Sequence, residues 1–322
     1  LEEELMQRIR TTAVAMALAF LSISAARAAE DTIRRSFNVA PGGTFTLDAD
    51  VGDVTVRAGN TNTVSVEVVR KGRTSDLRDY EITFAQEGND VHVRGKYDHS
   101  FRFFDFLSAH FTVTVPSTYN LHLATSGGDI KIADIHGEVI SKTSGGDLDI
   151  GHIDGSVEAR TSGGDVKLES AHGKMELHTS GGGIRVGNAD GPMTAKTSGG
   201  SINIKRVSGD LVAHTSGGSI DIDEALAAVD ASTSGGSIHA RLSRQPHGDS
   251  KLSTSGGTIT LTLPSNIAVD LDAHTSGGDV ETDMPVTVLG KQTESTLNGR
   301  INGGGPKLTL RSSGGDIRVR KM

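Results

Sequence analysis

Thr143-Ser144-Gly145-Gly146-Asp147-Leu148-Asp149-Ile150 returns eighteen residues later as Thr161-Ser162-Gly163-Gly164-Asp165-Val166-Lys167-Leu168. Thr-Ser-Gly-Gly begins at Thr125, Thr143, Thr161, Thr179, Thr197, Thr215 and Thr233, always 18 residues apart, then at Thr254 and Thr275, 21 apart. A degenerate copy, Thr296-Leu297-Asn298-Gly299, keeps the 21-residue step, and Ser312-Ser313-Gly314-Gly315-Asp316 closes the series. A fixed period of this kind marks a stacked repeat, because one unit cannot bury its apolar face except against its neighbours.

With each Thr as position 1, position 6 reads Ile130, Leu148, Val166, Ile184, and position 8 reads Ile132, Ile150, Leu168, Val186. Position 11 (Ile135, Ile153), position 15 (Val139, Val157) and position 17 (Ser141, Ala159) complete the small or apolar set, while 5, 7, 16 and 18 are mostly polar. Period-two alternation in two short runs predicts two strands per unit. By the same parity Thr faces inward, where its hydroxyl can bond a neighbouring backbone group, and the following Ser faces out. Gly-Gly at positions 3 and 4 is expected to supply positive φ at one corner, and Gly137, Gly155, Gly173, Gly191 and Gly209 the other corner. The predicted fold is all-β: a single-chain β-solenoid, a right-handed parallel β-helix or β-roll with two short strands per 18–21-residue coil. Eleven coils spaced ~4.8 Å apart would make a rod of roughly 50 Å.

The 322 residues include 32 Lys plus Arg against 40 Asp plus Glu, a net charge of −8. An acidic chain is a poor general binder of nucleic acid. Cysteine is absent, which excludes disulfides, thiolate metal sites, a cysteine nucleophile and a lipid-modified cysteine in this sequence. Aromatic residues make up 4% and none follows Tyr119, so the repeat region must pack a thin aliphatic core.

Three segments follow from the pattern. Residues 1–28 read as upstream residues plus a cleavable signal peptide: a basic start at Met6–Arg10, an apolar run from Ala13 to Ile23, and the cleavage pattern Ala26-Arg27-Ala28. That run is too short to span a membrane, and no later segment is apolar enough. Export to the periplasm, the cell surface or the medium is the expected localisation. Residues 29–119 form an N-terminal β region and aromatic-rich cap, and residues 120–322 the repeat solenoid. Eight of nine Phe fall between Phe37 and Phe111, and Ala49-Asp50-Val51-Gly52-Asp53-Val54 reads as a degraded copy of the repeat. Arg318, Arg320 and Lys321 are expected to charge a terminal edge strand against edge-to-edge growth. No segment reads as a helix.

Candidate sites are few. Asp129, Asp147 and Asp165 would stack as carboxylates at position 5, most simply as solvated turn residues. Position 18 stacks Lys142, Arg160, His178, Lys196 and His214 on an outer face, either as a solvated face offset by Glu158, Glu176 and Asp230 or as a polyanion-facing column. Phe101, Phe103, Phe104 and Phe106 crowd one stretch, either as cap packing or as an exposed loop for a partner. His136 and His172 share a column two coils apart, too far to share one ion. No metal, cofactor or catalytic residue is implied. A hexapeptide acyltransferase helix fails on periodicity, because positions 12 and 18 are polar.

The recurring Thr-Ser-Gly-Gly units, with Val113-Thr114-Val115-Pro116 and Leu261-Thr262-Leu263-Pro264-Ser265 as punctuation, resemble the bacterial putative-adhesin family of β-strand-repeat proteins over roughly residues 35–320. The resemblance implies an exported or envelope-associated domain of unassigned function and supplies no catalytic residues. The functional expectation is a non-enzymatic adhesin or cell-envelope interaction or scaffold protein that meets an unidentified surface component, protein or glycan. The alternatives are a polysaccharide-processing enzyme on the same scaffold and an envelope-stress sensing component.

Overall fold

The computed structural model describes residues 29–98, 107–290 and 292–322. Two 15-stranded, mainly parallel sheets run the length of the molecule and enclose one aliphatic core. The predicted vertical files are present. Leu148 pairs in register with Ile130 on one side and Val166 on the other, and Val157 with Val139 and Met175. All six are buried.

One corner holds successive coils together. The Thr143 hydroxyl donates to the Gly128 carbonyl of the preceding coil at 2.9 Å and accepts the N–H of Gly146 at 3.4 Å. The same pair of bonds recurs at Thr161, Thr179, Thr197, Thr215, Thr233 and Thr254. Each Thr is buried, so its hydroxyl must be satisfied internally. At position 5 the Asp147 N–H donates to the Asp129 carboxylate at 2.9 Å, and Asp165 N–H to Asp147 at 2.8 Å. These carboxylates are therefore not merely solvated, as the sequence suggested. Each accepts a backbone N–H from the next coil, and Ser201, Ser219 and Ser237 do the same with hydroxyls.

The paired glycines of this corner are required for a different reason from the one expected. None at positions 3 and 4 has positive φ. Instead, a Cβ on Gly146 would lie 2.1 Å from the Gly128 carbonyl oxygen, and one on Gly164 would lie 2.2 Å from that of Gly146. The backbone of one coil occupies the volume of the missing side chain on the next. At the opposite corner Gly137, Gly173 and Gly191 do have positive φ (155°, 146° and 145°), whereas Gly155 and Gly209 do not and are instead pressed against the adjacent coil.

Coil order departs from chain order at both ends. Strand Ser108–Pro116 pairs with Asp53–Gly59, which in turn pairs with Ile130–Ile132. The coil made by Thr44–Ala49 and Asp53–Gly59 is thus inserted between two coils that follow it in the chain. The degraded copy is a genuine repeat, since the Thr125 hydroxyl donates to the Gly52 carbonyl at 2.9 Å. At the other end Lys307–Ser312 lies between Ser250–Thr254 and Val269–Thr275, and Ile317–Lys321 between Ile259–Leu263 and Val280–Thr282. The chain climbs two coils immediately after Val115-Pro116 and again after Leu263-Pro264, and a segment from the nearer terminal region fills each gap. This corrects two expectations. Arg318, Arg320 and Lys321 lie on an internal strand, where Arg320 meets Glu281 at 2.9 Å and Asp283 at 3.0 Å. The Thr296 copy is no parallel coil but the strand Thr296–Ile301, antiparallel to Val269–Thr275.

Twelve parallel coils result. The N-terminal end is closed by antiparallel strands Ala29–Asn38, Thr63–Gly72 and Tyr80–Glu87, with Phe45, Tyr80, Phe111 and Tyr119 buried as the expected aromatic cap. A short helix, Thr74–Asp79, links the two sheets there, which the strand patterning did not predict. Its Asp76 is buried against Arg73, with the Nε donating at 2.9 Å.

The corner geometry separates two adjacent glycines. A Cβ on Gly145 would make ordinary contact, 3.5 Å from Gly127 O, whereas on Gly146 it would collide with Gly128 O. Thermal denaturation should show Gly146→Ala destabilised by about 1–3 kcal/mol or more and Gly145→Ala close to the parent. Equal melting temperatures for the two variants would contradict the coil-contact explanation.

Candidate functional site

The outer surface next to the Thr-Ser-Gly-Gly corner is built by four short strands in register: Val157–Arg160, Met175–His178, Met193–Lys196 and Leu211–His214. Their alternation places Val157 and Ala159 in the core and turns Glu158 and Arg160 outward. Buried Thr161 follows, then exposed Ser162. The pattern repeats, so position 18 becomes a file: Lys142 beside Arg160, Arg160 beside His178, His178 beside Lys196, Lys196 beside His214. Beyond His214 the file continues through Ser232 and Ser253 to Arg311 and His274. Arg311 stands between Ser253 and His274 only because the C-terminal coil is inserted, which repeat counting could not show.

A groove of about 690 Å³ runs between this file and the file of position-2 serines. Arg160, His178, Lys196 and His214 line one side and Ser162, Ser180, Ser198 and Ser216 the other, with no carboxylate in the lining. Lys142 is in register but outside the groove, and its ammonium meets Glu158 at 3.1 Å. Glutamates do offset the column at its start. Arg160 contacts Glu158 at 2.8 Å and Glu176 at 3.3 Å, and these bonds, with those from Lys142 and Lys174, hold both carboxyls below the usual range. The offset is interrupted at Lys196. Position 16 becomes Thr194 and Val212 beside Lys196 and His214. Among the described residues no carboxylate lies within ion-pair distance of Lys196. His214 has Asp230 at 3.6 Å.

Two other grooves carry mixed charge. One of about 310 Å³ is lined by Lys167 and Arg185 but also Glu169, Asp221 and Asp223. Another, of about 480 Å³ at the N-terminal cap, holds Arg34 paired with Glu67 at 2.9 Å. The serine–cation groove alone among these three lacks acid. His136 and His172 stand two coils apart as expected, each facing an aspartate on the next coil: Asp154 at 3.3 Å and Asp190 at 3.7 Å. Phe101, Phe103, Phe104 and Phe106 and the expected signal segment lie outside the described residues. Among the described residues no helix is long and apolar enough to cross a membrane.

The family model described as Toastrack DUF4097 matches residues 44–320, from the first inserted coil to the last strand. The chain belongs to that family. Solved structures similar to this Toastrack chain include a "putative adhesin" from Bacteroides fragilis NCTC 9343, 14% identical, covering 91% of this chain and 97% of the other at a TM-score of 0.36. A second "putative adhesin", from Parabacteroides distasonis ATCC 8503, is 11% identical with the same coverages and a TM-score of 0.42. A "putative lipid binding protein" from Parabacteroides distasonis ATCC 8503 is 12% identical, again covering 91% and 97%, at 0.43. No curated protein sequence matches the chain.

His178 reports on the field in the groove. Partial burial, then the charges of Arg160 and Lys196, lower its pKa from the ordinary 6.5, outweighing Glu176 and Glu158. With the folded value depressed, the unfolded chain takes up the proton first as pH falls. The resulting stability penalty is absent above the unfolded pKa and grows as pH drops below it. An NMR titration should therefore place the His178 midpoint below 6.5, and His178→Gln should flatten the acid-side loss of melting temperature. A midpoint at or above that value would contradict the cationic groove.

Proposed function

We propose that this Toastrack protein is an exported, non-enzymatic interaction protein of adhesin type, whose solenoid presents the column Lys142, Arg160, His178, Lys196 and His214 to a polyanionic component of a cell surface or envelope. One observation carries the reading. In a chain of net charge −8, a groove crossing several coils is lined only by cationic or protonatable side chains, threonines and serines. Like charges stacked one coil apart repel, and a bound polyanion relieves that repulsion. A groove without acid also focuses the potential that draws such a ligand in.

Export rests on the basic–apolar–small pattern of residues 6–28. The Phe101–Phe106 stretch remains a second candidate contact for a partner, to be tested by deleting residues 99–107.

Biolayer interferometry against immobilised dextran sulfate tests the column. The parent chain should bind, with affinity falling as salt rises. Arg160→Glu combined with Lys196→Glu should weaken binding by about tenfold or more, since two cations become two anions. Binding unchanged in that double variant would refute the column as the contact surface.

A further inference from the structure

Position 2 is serine in the ten intact units: Ser126, Ser144, Ser162, Ser180, Ser198, Ser216, Ser234, Ser255, Ser276 and Ser313; the two degenerate copies at Ala49 and Thr296 carry Asp50 and Leu297 there. All ten are exposed. Three other positions of the corner have structural roles. The Thr hydroxyl bridges two coils, the second Gly makes room for a carbonyl, and the position-5 side chain accepts an N–H. The serine hydroxyls form no hydrogen bond with the rest of the described chain, so stacking the coils does not require a hydroxyl there. Yet within these ten units the position stays serine, whereas position 5 drifts among Asp, Gly, Ser and Thr despite its structural bond.

From this groove we infer the ligand class and its direction: a linear acidic polysaccharide lies along the rod axis, its carboxylates or sulfates on the cation file and its hydroxyls on the serine file. The inference rests on the polyanion reading above and adds the serine file to it. Three features favour a glycan over other polyanions. Sugar hydroxyls need paired donors and acceptors, and each serine offers both. The advance per sugar of an extended pyranose chain is close to the ~4.8 Å coil spacing, so such a chain can run along the rod axis nearly in step with the coils. The groove has no aromatic ring on which a base could stack, and the chain as a whole is acidic, both of which disfavour single-stranded nucleic acid. The side chains are regularly spaced rather than convergent, which suits a polymer held by many weak contacts.

Isothermal titration calorimetry of the full mature chain with galacturonate oligomers of increasing length tests the proposal. Polyphosphate and single-stranded oligonucleotide serve as other polyanions, and a neutral oligosaccharide as control. Affinity should climb steeply with oligomer length and level off at about the number of coils spanned by the groove. The triple variant Ser180→Ala, Ser198→Ala, Ser216→Ala should melt like the parent and bind the long oligomer roughly tenfold more weakly, each lost hydrogen bond being a factor of a few. Lys196→Gln should weaken binding and reduce its salt dependence.

The two readings fail separately. If Lys196→Gln weakens binding while the triple serine variant binds as the parent does, the polyanion column stands and the axial glycan is overturned. If polyphosphate or the oligonucleotide binds as tightly as the galacturonate oligomer, or short oligomers bind as tightly as long ones, the glycan assignment is overturned. If neither the oligomers nor dextran sulfate binds at low salt, both readings fall.

Discussion

The whole architecture depends on one close approach. At the Thr-Ser-Gly-Gly corners from Thr125 to Thr254 the carbonyl oxygen of one coil crowds the place where the next coil's Cβ would be, as Gly128 does for Gly146 and Gly182 for Gly200. That contact sets the spacing of the corners. It leaves the buried Thr hydroxyl within reach of both coils, so the cost of burying a polar group is offset by two hydrogen bonds. With the corners in contact, the two flanking sheets pair in register and the thin files of Ile, Leu, Val, Met and Ala close into a core that has no ring after Tyr119. Ser141 is the one break in the position-17 file: it is fully buried and its hydroxyl has no partner.

A stack of identical coils has no inherent ends, and exposed strand edges invite pairing with other chains. The molecule answers this twice in the same way. After Val113-Thr114-Val115-Pro116-Ser117 and after Leu261-Thr262-Leu263-Pro264-Ser265 the chain rises two coils instead of one, and the vacant level is filled from the nearer terminal region. The crossings are tied to the segments that fill the gaps. Gly42 N–H donates to the Thr118 carbonyl at 2.8 Å, and the Asn302 amide donates to the carbonyls of Ser265 at 2.9 Å and Ile267 at 2.6 Å. Outside the inserted coils, antiparallel strands continue both sheets at the N-terminal end and one sheet at the C-terminal end, while Val280–Thr282 ends the other sheet as a short parallel strand of three residues.

Much of this is legible in the sequence, and the limits have a physical reason. Alternation determines which side chains face inward, and Ile130, Leu148 and Val166 are buried as it requires, because a one-residue slip would expose them all. The same alternation is blind to which coil lies next to which. Every coil has the same parity, so Ile317 fits equally well above Ile259 or above Val280, and only the three-dimensional structure shows it between them. The sequence puts the paired glycines at the right corner but suggests positive φ as their cause, because a neighbouring carbonyl is invisible in a single unit. The basic column was visible by counting eighteens. That its groove excludes acid is not, since Glu158 and Glu176 share the outer face with Arg160 and pair with it, and only the three-dimensional arrangement leaves them out of the lining.

The insertion of the C-terminal coil is the point at which this stacking differs from simple winding, and the absence of cysteine makes it easy to examine. Thr260 is the register partner of Arg318, and Arg318 of Glu281, so Thr260 and Glu281 are separated by a full coil. Adjacent parallel strands place such partners within disulfide range, whereas next-nearest strands do not. Under mild oxidation the pair Thr260→Cys with Arg318→Cys should cross-link readily, as should Arg318→Cys with Glu281→Cys. A cross-link between Thr260→Cys and Glu281→Cys, with none to position 318, would show that the coils follow chain order and would contradict the account.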